Sequence, residues 1–147
     1  MKKGIKIILT VVFLFVILFF ISCLIVNNIS AKRIIADIES IPLPQNTYAV
    51  ESFSHAGKLV GNGNGMQFFG AILIESDLSL EELEKHYSLY RETLWDYVVE
   101  VQDTRNIDII EHGTFSFKTD VSNGSFYIVY SWGDGISPFQ DFDLRGH

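Results

Sequence analysis

The hydrophobic pattern divides the chain at Val26. From Ile7 to Val26 the sequence reads IILTVVFLFVILFFISCLIV, 20 residues without a charge. At a helical rise of about 1.5 Å per residue this run spans roughly 30 Å, the thickness of a bilayer's hydrocarbon core. Ile34, Ile35, Ile38 and Ile41 then recur at helical spacing and predict that the helix continues beyond the run. Pro42 and Pro44 stop it, because proline lacks the N–H and disfavours helix in the residue before it.

After the prolines the period changes. A first strand is expected over TYAVESFS from Thr47, extending toward Val60, and a second over Met66–Glu75, MQFFGAILIE. Both faces of that second segment are apolar, Met66/Phe68/Ile72/Ile74 and Phe69/Ala71/Leu73, which predicts an interior strand covered on both sides. Ser79-Leu80-Glu81-Glu82 has the form of a capping box. Leu80, Leu83, Tyr87, Tyr90 and Leu94 follow as one apolar stripe opposite Glu81, Glu82, Lys85 and Glu92, an amphipathic helix. Three further strands are expected, over Trp95–Gln102, Ile109–Thr119 and Ser125–Trp132. Ser122-Asn123-Gly124 is placed between the last two as a hairpin turn. The resulting order, ββαβββ, predicts an α+β fold: a mostly antiparallel five-stranded sheet with one long helix across a face. The domain organisation follows: 1–6 a basic cytoplasmic start, 7–26 a transmembrane helix, 27–46 a juxtamembrane helix and proline linker, 47–132 the α+β domain, 133–147 an acidic tail.

Charge sharpens this division. Lys2, Lys3 and Lys6 precede the apolar run and all 18 acidic residues follow it. The part beyond Val26 carries eight basic residues against those 18, a balance of −10 that repels nucleic acid and anionic lipid head groups. Eight Phe, both Trp and all six Tyr lie beyond the run, an aromatic content that argues against disorder. The single cysteine, Cys23, is inside the run, so the domain has no disulfide, zinc–thiolate site or cysteine nucleophile.

The apolar run is longer than a cleaved signal peptide's core, and no A-x-A-like site follows it. A retained single-pass helix in the cell membrane is expected, with the N-terminus cytoplasmic and the domain outside by the positive-inside bias. A lipoprotein signal is the alternative. Phe20-Ile21-Ser22-Cys23 resembles a lipobox, but Phe20 stands where leucine is preferred, and Leu24-Ile25-Val26 continue the run past the cysteine.

The stretch AGKLVGNGNGMQFFGAILIES, Ala56 to Ser76, followed by LSLEEL, resembles a family of small membrane-anchored bacterial proteins with no established activity. The resemblance implies an anchor and a domain and adds no chemistry. Gly61-Asn62-Gly63-Asn64-Gly65 leads into a strand and lacks the Gly-Lys-Ser/Thr ending of a P-loop, so it reads as a connection between antiparallel strands. His55, His86, His112 and His147 show no metal-ligand spacing. Asp134, Asp141 and Asp143 lack the EF-hand spacing and read as a solvated tail that Phe139 and Phe142 tack onto the domain. No G-x-S-x-G motif is present, and Ser131-Trp132-Gly133 lacks its shape. No catalytic residue, cofactor or metal is assigned. The expected function is a membrane-anchored, extracytoplasmic, non-catalytic domain that binds a partner protein or an envelope component. A small membrane-proximal hydrolase working through carboxylates is the alternative.

Overall fold

The computed structural model describes residues 2–90, 96–133 and 136–147. Helix α1, Lys2–Glu39, runs unbroken for 38 residues. The large apolar side chains from Ile5 to Leu18 are exposed all round it. The helix is long and apolar enough to cross a membrane, and an all-round apolar surface of this kind suits lipid rather than water. From Phe19 onward one face changes character. Cys23, Asn27, Ala31, Ile34 and Ile38, three or four residues apart, are buried against the rest of the chain.

The sheet is antiparallel and four-stranded, in the order β1-β2-β4-β3. Its strands are β1 Thr47–Gly57, β2 Gln67–Ser76, β3 Val98–Val101 and β4 Phe126–Gly133. β2 is interior, and both of its faces are buried as its pattern predicts. Phe68, Ile72 and Ile74 meet Ile34 and Ile38 of α1 and Leu83 and Tyr87 of α2, Leu80–Ser88. Phe69, Ala71 and Leu73 meet Ile107, Ile110, Phe117 and Val121 from the irregular segment between β3 and β4. α1 approaches β2 closely at Gly70, where an added Cβ would stand 2.7 Å from the Ile34 side chain.

Two expectations are corrected. The strand count is four, and the order ββαβββ is not formed: Ile109–Thr119 is an irregular layer over the sheet. Its apolar positions do not alternate, since Ile109 and Ile110 are adjacent, and Gly113 takes φ +113°, outside strand geometry. Among the described residues, a single bridge, Asn106 to Ser116, is all the ladder it makes. Without that strand, Ser122-Asn123-Gly124 closes no hairpin. The helical layer is also shared: α1 supplies its last turns beside the shorter α2, while Glu92, Leu94 and Trp95 lie outside the described residues.

The capping box is present as read. The Glu82 N–H donates to Ser79 Oγ, and the Ser79 N–H donates to Glu82 Oε2 at 2.9 Å. These bonds hold the Glu82 carboxyl below the usual carboxylate range. Ser79→Ala should therefore cost about 1 kcal/mol of stability in a denaturant titration of the full chain. A shift indistinguishable from zero would show that the cap contributes nothing.

Candidate functional site: the junction of helix α1, sheet and C-terminal turn

The 3₁₀ turns Gln140–Phe142 and Leu144–Gly146 return the end of the chain to α1. Two amides, Asn27 and Asn28, stand directly after the apolar run and receive it. Asn27 is fully buried, and its amide is satisfied on both sides. Its Nδ2 donates to Asp143 Oδ2 at 2.8 Å and, more weakly, to the Phe139 carbonyl at 3.4 Å. Its Oδ1 accepts from Ser137 Oγ. Asp143, expected in solvent, is buried here. It also takes Arg145 Nε at 3.0 Å, Arg145 Nη2 at 2.7 Å and the Arg145 N–H at 3.1 Å. Burial alone would push the Asp143 carboxyl up. The bonds from Arg145 and Asn27 outweigh it and hold the carboxyl down at about 2. Arg145 completes the closure by donating from Nη1 to Asn28 Oδ1 at 2.9 Å.

An aromatic contact lies beside this polar network. Phe19 meets Phe139 and Phe142 edge-on, with ring centroids 5.9 and 5.5 Å apart. The expected tacking of the tail by Phe139 and Phe142 thus occurs on α1 itself. On the sheet side, Asn28, Ala31, Lys32, Ser54, His55 and Arg145 line a shallow cavity of about 240 Å³. His55 titrates below its ordinary value, first because it is desolvated and then because Arg145 repels its charged form. It sits 4.6 Å from the Phe115 ring as an aromatic neighbour.

The remaining sequence candidates are dispersed. His86 Nε2 is 2.8 Å from the Pro42 carbonyl, His112 Nε2 is 2.6 Å from the Gly61 carbonyl, and His147 is exposed. Asp141 is exposed, and Asp134 lies outside the described residues. Among the described residues no three His, Cys, Asp or Glu side chains converge to hold a metal ion. Glu100, Asp103 and Asp108 line a second shallow cavity of about 220 Å³, where Glu100 accepts the Tyr130 hydroxyl at 2.7 Å.

The glycine–asparagine loop connects the antiparallel pair β1 and β2. Its positive φ values fall at Gly61, +70°, and Gly65, +146°, with Gly63 in ordinary geometry. Two of the loop's amides are consumed within the protein: Gly61 N–H donates to Glu111 Oε2 at 2.7 Å, and Gly65 N–H to the Gly146 carbonyl at 2.7 Å. Gln67 closes it by accepting from the Leu59 and Val60 N–H groups at 2.8 Å each. The junction escaped sequence reasoning because its partners are more than 100 residues apart. The one local signal was the Asn27-Asn28 pair, polar and uncharged, at the end of an apolar run. Comparison of the chain with protein-family models, curated proteins and solved structures finds no match.

Proposed function

We propose that the chain is a single-pass, membrane-anchored, extracytoplasmic domain, non-catalytic, that presents a fixed surface to a partner protein or an envelope component. The observation that carries this reading is the union of anchor and core: the helix holding the apolar run also supplies Ala31, Ile34 and Ile38 to the sheet's core. A domain held this way keeps one height and one orientation over the bilayer, which suits docking. The resemblance of Ala56–Ser76 to membrane-anchored bacterial proteins points the same way. Near its second end, at Ser54 and His55, β1 passes Asn28 and Lys32, so its start is the end farther from the membrane. That start is the sheet's edge and exposes Tyr48 and Val50, with Leu43 just before it. Edge strands with exposed apolar side chains are a common means of pairing with another chain.

Three measurements test the reading. A photo-crosslinking amino acid at Tyr48 in the intact cell should give a discrete adduct that the same probe at Ser122 does not. Protease added to intact cells or spheroplasts should remove the domain, and Cys23→Ala should leave the membrane attachment unchanged. Degradation only after lysis would reverse the orientation. A mature chain that begins at Cys23, and that Cys23→Ala restores to full length, would establish the lipoprotein alternative instead.

A further inference from the structure

We propose that the C-terminal turn is a second membrane contact, in which Phe142 and Leu144 enter the acyl-chain edge of the bilayer beside Phe20 and Leu24. Phe142 meets Phe19, 5.5 Å between centroids. Phe19 lies seven residues before Val26, about 10 Å back along the helix axis from the end of the apolar run. The turn therefore stands level with residues of the run, below its outer end. Phe20, Leu24, Phe142, Asp143, Leu144 and Arg145 enclose an open groove of about 280 Å³. Its apolar walls face outward: Phe142 is 52% and Leu144 76% exposed.

Bilayer thickness decides what covers these side chains. If the hydrocarbon boundary lay beneath Phe19, only Ile7–Leu18 would remain inside. Those 12 residues span about 18 Å against the roughly 30 Å required. Lys2, Lys3 and Lys6 close the other end, so the span cannot be recovered there. The outer boundary must then reach the turn, and a depth of about 5–10 Å is that of interfacial segments. Three polar groups that travel with the turn are sheltered, whereas Asp141 and His147 are exposed and keep to the head-group side of the contact. Asn27, Ser137 and Asp143 are buried in the network described above, and the turn's amides bond within it, from Phe142 N–H to the Phe139 carbonyl and from Gly146 N–H to the Asp143 carbonyl. Lys32 and Arg33 come six and seven residues after Val26, about 10 Å farther out, at head-group level. The contact is apolar in character, as a domain of net acidic charge requires.

The inference rests on the reading of 7–26 as a spanning helix, and the test separates the two. In the full chain carrying Cys23→Ala, single cysteines are introduced as Phe142→Cys, Leu144→Cys, Ser122→Cys and Val12→Cys. Each is labelled with an environment-sensitive nitrobenzoxadiazole and reconstituted in phosphatidylcholine vesicles. The probes at 142 and 144 should emit blue-shifted, be quenched by lipid carrying a nitroxide high on the acyl chain, and resist an aqueous reductant at least fivefold better than the probe at 122. Reduction of 142 and 144 at the rate of 122, with 12 still protected, would overturn the second contact and leave the anchor standing. Loss of protection at 12 as well would remove the anchor itself. Protection at 142 and 144 that vanishes on dilution of the protein in lipid would assign the groove to a second copy of the chain and overturn the proposal. Leu144 projects outward, so its substitution leaves the fold in place for every one of these readings.

Discussion

Gly70→Val should unfold the domain or bring it close to unfolding, the largest effect expected of any single change outside the apolar run. A Cβ at Gly70 would stand 2.7 Å from both Cβ and Cγ2 of Ile34 and 3.1 Å from the Ile35 backbone nitrogen. A side chain could rotate away, but a helix backbone cannot. The helix also cannot shift alone, because Ile34 and Ile38 are locked in the same core as Phe68, Ile72, Leu83 and Tyr87. Overpacking of such a site costs about 1–3 kcal/mol for one or two methyl groups. The lower part of that range applies to Gly70→Ala, and valine should exceed it. A double-mutant cycle isolates the cause. Ile34→Ala alone opens a cavity and should cost about 2–4 kcal/mol. Combined with Gly70→Ala it should cost less than the sum, since Ile34→Ala removes Cγ2, one of the two closest contacts, while its Cβ remains. Additive losses in a denaturant titration would show that the Ile34 Cγ2 does not press on Gly70.

What was legible in the sequence is what depends on neighbours in the chain. The capping box lies within four residues, and β2 declares itself by two apolar faces in ten consecutive positions. The isoleucines after the apolar run predict a helix correctly, yet their spacing cannot say whether lipid, solvent or a sheet receives them. Gly70 is the residue that answers, and a lone glycine within a strand pattern signals close backbone approach without naming the partner. The segment Ile109–Thr119 was misread because the side chains that cover a sheet are as apolar as those within one. Phe115 and Phe117 do point inward, but over the sheet's face rather than along its edge. The junction was the least legible part. Asn27 meets Asp143 across a separation of 116 residues, and an aspartate directly after a phenylalanine carries no local mark of burial.

Asp143→Ala should loosen the C-terminal turn from helix α1 and destabilise the protein by about 3 kcal/mol. The carboxylate is the common acceptor for the Asn27 amide and the Arg145 guanidinium. Its removal leaves a fully buried amide donor with only the weak bond to the Phe139 carbonyl. It also leaves a guanidinium, 31% exposed, without its ion-pair partner. Breaking a buried pair typically costs about 3–5 kcal/mol, and Arg145's access to solvent places this one at the low end. The pH dependence follows from the same geometry. The folded-state pKa, about 2, lies below the ordinary value of 3.8. The carboxylate therefore contributes its full stability above about pH 4 and loses it as the pH falls toward 2. Hydrogen exchange on the full chain in vesicles should show the amides of residues 140–146 opening first on acidification through that window. Asp143→Asn keeps the shape but withdraws the charge, so its turn should open at neutral pH to about the extent that the native turn opens at pH 2. An Asp143→Asn protein as well protected as the native one at neutral pH would mean that packing of Phe139 and Phe142 on Phe19, and not the ion pair, holds the end of the chain to its anchor.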